Sequence, residues 1–208
     1  MKINRSDSKE RRVVITGMSV VTPIGVNLEE YWSNLLSGAC GLGIIKRFDT
    51  GQYRTKIAGE IKSDLFVLFG NEVPKKIERL ERVALIGLSA SMSALRNAGF
   101  DEKEDNLSDF GVVLGSGVGG MLYYEHQMLA WMANGVRKVH PNSIARITPN
   151  TVSSNVAISL NCCGPDLTIS TACSSSAHAI GISYLLIKNA VANAVLTGGA
   201  EAPISPVL

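Results

Sequence analysis

The chain has 208 residues, 46% of them hydrophobic and 18% charged, which is enough apolar material for a sizeable core at ordinary globular polarity. Twenty Lys and Arg stand against 18 Asp and Glu, and a net charge of +2 leaves no electrostatic footprint for a nucleic acid partner. No run approaches the roughly 18 continuous apolar residues of a membrane span. The four cysteines, Cys40, Cys162, Cys163 and Cys173, fit neither a zinc-ligand spacing nor an exported disulfide scaffold. A cytoplasmic domain with free thiols is the expectation.

Residues 1–10 read as a flexible tail and 11–208 as one domain. The basic start (Lys2, Arg5, Lys9, Arg11, Arg12) ahead of the apolar run Val13 to Val26 imitates an export signal. Thr16, Gly17, Ser19, Thr22, Pro23 and Gly25 interrupt that run, which favours a buried strand at Val13-Val14-Ile15 followed by a turn. Asn27 is placed to N-cap a helix from Leu28 to Leu36 that Gly38 closes. Residues 39–72, rich in glycine and broken by charges, read as an irregular excursion with short elements. Pro74 opens a long helix in which Ile77, Leu80, Ala84, Leu88, Ser91, Leu95 and Ala98 recur at three- and four-residue steps until Gly99. At about 1.5 Å per residue it spans roughly 36 Å.

Phe110 to Leu114 is a short apolar strand that leads into Gly115-Ser116-Gly117-Val118-Gly119-Gly120 and a helical stretch through Met132. After the turn Gly164-Pro165-Asp166, a strand at Leu167 to Ser170 runs into Cys173 and a helix from Ser174 to Ile187; the last strand is Ala194 to Thr197. Alternating strands and helices give an α/β layered fold. The apolar close at 202–208 lacks a polar terminating element, which suggests a piece of a larger fold.

Two motifs carry chemistry. Gly115, Gly117 and Gly120 formally match a dinucleotide-binding loop. No acidic residue ends a strand about twenty residues on, and the Lys-Ser/Thr pair of a phosphate loop is missing. The plainer reading is a tight turn where backbone passes close to backbone or to a bound chain. Cys173 sits where strand turns sharply into helix. Such an elbow holds a side chain out of the core, and the helix N-terminus favours the thiolate and offers N–H groups to an oxyanion. Ser174, Ser175 and Ser176 leave room around the sulfur and cap those donors. The competing reading of any cysteine is a small buried hydrophobe, which suits Cys162 and Cys163. His178, five residues on, lies about 140° around the helix from Cys173 and faces away. His126 and His140 could reach it only through the fold, so a base must come from elsewhere.

Gly164 to Gly181, G-P-D-L-T-I-S-T-A-C-S-S-S-A-H-A-I-G, resembles the active-site segment of the β-ketoacyl-acyl-carrier-protein synthases of the thiolase superfamily. Arg12 to Gly25, Ile77 to Leu85, Gly115 to Met121 and Thr197 to Glu201 agree in order, so the resemblance covers about residues 11–207. It is nearest to synthase II and the type II polyketide ketosynthases. The resemblance implies the N-terminal half of a duplicated, thiolase-like α-β-α-β-α layered fold, with no cofactor. It implies that Cys173 accepts an acyl group from an acyl carrier protein, before a malonyl unit on another carrier is decarboxylated and attacks the thioester. It implies that the Cys173 N–H forms half of the oxyanion hole, and that the strand before the nucleophile, Leu167 to Ser170, joins a homodimer or a ketosynthase heterodimer. The same resemblance implies that Val118 lies near the acyl pocket. Lys75, Lys76 and Arg79 match the basic helix entry that docks the acidic carrier, a trio that reads equally well as a solvated helix start. The family's two catalytic histidines, its lysine and its second oxyanion loop match nothing here, so the 208 residues alone are not expected to complete the condensation. The rivals are a non-catalytic chain-length-setting subunit, against which the retained cysteine argues, and a thiolase-superfamily acyltransferase without decarboxylation.

Overall fold

The computed structural model describes residues 11–69 and 75–207; the tail expected at 1–10 and the helix start expected at Pro74 lie outside them. The first helix, α1 (Leu28–Leu36), forms as its caps dictate. Asn27 Oδ1 accepts from the Glu30 N–H at 2.8 Å, and Gly38 at φ +72° lets the Ala39 N–H return to the Asn34 carbonyl at 2.9 Å. The excursion that follows is irregular apart from a two-rung antiparallel pair, β1 (Gly43–Ile44) with β2 (Ile57–Ala58), and a 3₁₀ turn at Leu65–Phe69.

The long helix is two helices, α2 (Lys75–Glu78) and α3 (Arg82–Asn97). The apolar period holds across both: Ile77, Ala84, Leu88, Ser91 and Leu95 are buried, and Leu80 packs against the same core. The backbone nevertheless turns at Glu81, which is extended (ψ 150°). The turn is held from both sides, since Arg146 lies 3.9 Å from the Glu81 carboxylate and Arg82 donates to the Ile61 carbonyl at 2.9 Å. Periodicity reports which face is buried and is blind to such a bend.

Three parallel strands follow, β3 (Phe110–Gly115), β4 (Asp166–Ile169) and β5 (Ala194–Gly199), in the order β4-β3-β5. The middle strand is buried from Gly111 to Gly115, as expected of parallel strands covered on both faces. Between β3 and β4 come α4 (Met121–Asn134), α5 (Ser143–Ile147) and α6 (Thr151–Leu160); α7 (Ser175–Lys188) joins β4 to β5. α3 and α6 pack together on one face of the sheet and α7 covers the other. The core of Leu85, Leu88, Leu95, Val112, Leu114, Val152, Val156 and Leu160 lies between the sheet and the α3–α6 layer.

α7 turns only small residues, Ser175, Ala179 and Ser183, into the sheet, while Ile180, Tyr184 and Leu185 on its other side are about half exposed. The result is α-β-α, three of the five expected layers, with an apolar helix as the outermost. No helix among the described residues is long and apolar enough to cross a membrane.

The strand expected at Val13–Ile15 does not form: residues 11–21 join no ladder, with Val14 62% and Ile15 79% exposed. The segment is held to α3 instead. Asn97 Oδ1 accepts from the Met18 N–H at 2.9 Å, Ser19 Oγ donates to the Ala90 carbonyl at 2.6 Å, and Gly17 passes so close that a Cβ would lie 2.8 Å from that of Ala98. β-branched residues make a strand only with a partner edge, and none of the described residues supplies one here.

Candidate active site

The site forms where β3, β4 and β5 end against the start of α7. Two glycines allow it: a Cβ on Gly115 would lie 2.5 Å from the Ser175 carbonyl oxygen, and one on Gly199 would lie 2.7 Å from Ser176 Cβ. Strand ends therefore touch the first turn of the helix directly, and β4 leads through Ser170, Thr171 and Ala172 to Cys173. Ala172 has φ +53°, a left-handed conformation that costs a residue with a Cβ about 1 kcal/mol or more. Cys173 is exposed at the head of α7, whose first turn holds no acidic residue. The exposed thiol thus stands at the N-terminal end of a 14-residue helix.

The serines do not act as the sequence suggests. Ser174, the N-cap, makes no side-chain cap; its Oγ donates back to the Thr171 carbonyl at 2.7 Å. Ser175 Oγ accepts from the Thr171 N–H at 2.9 Å and donates to the Ala172 carbonyl at 2.7 Å. These side chains brace the elbow from the helix side and leave the dipole end to the thiol.

The glycine loop lies alongside. A Cβ on Gly117 would be 3.7 Å from Ala172 Cα, and Ser170 Oγ donates to the Gly117 carbonyl at 3.1 Å. Its amides are already occupied, because Glu201 Oε2 accepts from the Gly117 N–H at 2.6 Å and the Val118 N–H at 3.3 Å, and Ser116 Oγ donates to Oε1 at 3.3 Å. A carboxylate from the chain itself fills the place a phosphate would take, so the tight-turn reading holds and the dinucleotide reading falls. Val118, half-buried, follows Gly117 on this loop. Glu201 closes the stretch Thr197 to Glu201 that carries part of the resemblance, but its bonding to the glycine loop is not readable from the sequence. Glu201→Ala is expected to lower stability by about 1 kcal/mol through three lost hydrogen bonds on an exposed side chain, read as a shift in the unfolding midpoint.

The other thiols differ. Cys163 is exposed rather than buried, because the turn before β4 brings it to the surface. Cys162 packs against the core, and burial pushes its thiol up to about 11, with Cys163 and Asp166 adding to the effect. A thiol held neutral in the folded state stabilises the fold below the unfolded value near 9, and that contribution is lost as the pH rises toward 11. The unfolding midpoint is therefore expected to fall across that window, and Cys162→Ala to flatten the fall.

Lys75 and Lys76 stand exposed on α2 with Arg79 in the turn beyond it, while Ile77 points inward. Of the three histidines, His178 is tied by Nδ1 to Thr171 Oγ1 at 2.7 Å. His126 is on α4 and His140 just before α5, elements that pack on one another. The described residues bring together Cys173, its elbow and the Gly117–Val118 loop; they bring no free imidazole.

The family model "Beta-ketoacyl synthase, N-terminal domain" matches residues 10–208. The 3-oxoacyl-[acyl-carrier-protein] synthase 2 of Synechocystis is 34% identical over 199 residues, which are 96% of this chain and 47% of that protein. Among solved structures, the ishigamide ketosynthase/chain length factor superposes with a TM-score of 0.82 at 26% identity, over 93% of this chain and 48% of that one. A β-ketoacyl synthase from Burkholderia phymatum gives 0.79 at 28%, over 93% and 48%. The chain thus spans about half the length of the relatives it matches, and its three layers are the N-terminal half of their fold.

Proposed function

The chain belongs to the β-ketoacyl synthase family as its N-terminal domain, and from that membership we propose that it is the acyl-accepting half of a β-ketoacyl-acyl-carrier-protein synthase. The observation that carries this reading is Cys173, exposed at the head of α7 on an elbow braced by Ser174 and Ser175. In the first step the Cys173 thiolate attacks the carbonyl of an acyl thioester on a carrier protein. A tetrahedral oxyanion forms, with the Cys173 N–H as one of its donors, and collapses with loss of the carrier thiolate, which takes up a proton. The acyl chain then extends past Val118. Decarboxylation of a malonyl carrier and attack of the resulting carbanion on the Cys173 thioester call on further groups; among the described residues His178 is bonded to Thr171, and His126 and His140 belong to the α4–α5 region.

Retention of the cysteine favours this reading over a non-catalytic chain-length subunit. The partners are acyl carrier protein and a second ketosynthase chain, identical or related, in the cytoplasm. Lys75, Lys76 and Arg79 form the docking edge. The test is incubation with acyl-loaded carrier protein followed by peptide mass spectrometry. One acyl group on Cys173 is expected, with no release of CO₂ from malonyl carrier until the C-terminal half of such a synthase is supplied. Charge reversal at Lys75, Lys76 and Arg79 is expected to slow transfer from the carrier about tenfold and to spare transfer from a small pantetheine thioester, because only the carrier's acidic surface is steered. Equal effects on both donors would remove these residues from docking.

A further inference from the structure

Thr171 is held at three atoms, through four contacts, by the first two turns of α7. Its N–H donates to Ser175 Oγ (2.9 Å), its carbonyl accepts from Ser174 Oγ (2.7 Å), and its Oγ1 lies 2.7 Å from His178 Nδ1 and 3.3 Å from Ser174 Oγ. The holders stand three, four and seven residues after Thr171, so they share one helix face, the one turned to the elbow. The two serines grip backbone groups and would do so for any residue at 171. Of the two side-chain partners of Thr171 Oγ1, His178 is the nearer, at 2.7 Å against 3.3 Å for Ser174 Oγ, and it alone reaches the second turn of the helix. Between Thr171 and Cys173 sits Ala172, whose left-handed backbone is retained only while its surroundings over-determine it. His178 is exposed, makes no contribution to the buried core, and is otherwise unexplained by the acylation chemistry.

We propose that Thr171 and His178 are positioning residues: their side-chain bond clamps the elbow onto α7 and fixes the direction in which the Cys173 sulfur leaves it. The inference rests on Cys173 being the acyl-accepting nucleophile. The bond can run either way, from the Thr171 hydroxyl to a neutral Nδ1 or from an Nδ1–H to Oγ1, so it persists across protonation of the ring. Its loss leaves the helix, the serines and the thiol in place and widens the range of sulfur directions. Attack on a thioester carbonyl depends on that direction, because a misplacement of about 1 Å costs on the order of a hundredfold. Alkylation by a small reagent that approaches from any side does not.

The experiment compares two rates at Cys173 in the 208-residue chain, acyl transfer from octanoyl-pantetheine and alkylation by iodoacetamide, for the wild type and four variants. Thr171→Val and His178→Ala are expected to lose about 10- to 100-fold in acyl transfer while alkylation stays within about threefold. Thr171→Ser keeps the hydroxyl and His178→Asn places a polar atom where Nδ1 stood; both are expected to recover most of the rate. Wild-type acyl transfer by either Thr171→Val or His178→Ala overturns the clamp. So does an equal fall in both rates, which would mean a general loss of structure, and so does a failure of both conservative variants to recover. A wild-type chain that never acylates at Cys173 sinks the nucleophile assignment itself, and the clamp with it, a result distinct from the other three.

Discussion

Cys173→Ser abolishes acyl loading, by at least about a hundredfold, while loading survives in Cys40→Ser, Cys162→Ala and Cys163→Ser. Nucleophile supply decides the outcome. A cysteine sulfur is intrinsically a strong nucleophile toward thioesters and needs no neighbouring base to attack one. A hydroxyl at the same place holds almost no alkoxide and needs a base. The described residues offer none, since His178 is bound to Thr171 and His126 and His140 lie on other elements. Serine therefore fits the elbow and leaves it inert. Cys162 is the internal control: a thiol pushed up to about 11 holds, at pH 7, only about one thiolate in ten thousand. Cys163 and Cys40 are exposed but have no helix behind them, so any label they collect is slow and unsaturating. A full acyl adduct on the Cys173→Ser chain, at any residue, would refute the assignment.

What the sequence made legible is what short-range chemistry decides. Asn27 and Gly38 bracket α1 because a cap and a left-handed glycine act within four residues of themselves. The strands at 110, 166 and 194 stand out as short runs bounded by turn residues, of which only the middle one, β3, is buried along its length, and the elbow at Cys173 shows as a strand meeting small residues and a helix. The misses are long-range. Val13–Ile15 has the composition of a strand and lacks an edge to pair with. Helix α6 went unread because Thr151, Val152, Ser153, Ser154 and Asn155 are poor helix formers. Tertiary contact overrides them: Val152, Val156 and Leu160 enter the core at four-residue steps and Ser153 Oγ meets Thr168 Oγ1 at 2.7 Å.

The same division runs through the site. The nucleophile was visible; its supports were not. Local sequence makes Ser174 and Ser175 caps for their own helix, whereas they bond to the two residues that precede the nucleophile. Glu201 lies 84 residues from the Gly117 amide it accepts from, a separation across which no pattern in one sequence points. His178 bonds to the Thr171 side chain seven residues before it, a contact that helical spacing from Cys173 does not indicate.

Gly115→Ala has the largest expected effect on the fold, a loss of about 3 kcal/mol or more, because its added methyl meets backbone rather than a side chain that can turn away. The new Cβ would overlap the Ser175 carbonyl group and lie 2.5 Å from the Ser176 nitrogen. Relief requires either β3 or the first turn of α7 to move. β3 is the central strand, bonded to β4 and β5 on its two edges, so it is the helix start that yields. That shift draws Ser175 away from Thr171 and Ala172, releases the left-handed Ala172, and swings Cys173 off the end of the helix dipole. Acyl loading should therefore collapse along with the unfolding midpoint, even in conditions where the chain remains folded. Gly38→Ala is the contrast. At φ +72° the substitution is strained by about 1 kcal/mol, yet a Cβ there meets nothing within 4 Å, and Gly38 lies at the end of α1, whose bonds do not touch the elbow. Gly38→Ala should lower the midpoint modestly and leave Cys173 loading at the wild-type rate. A Gly115→Ala chain that loads normally would show that α7 need not sit against the end of β3 for Cys173 to react.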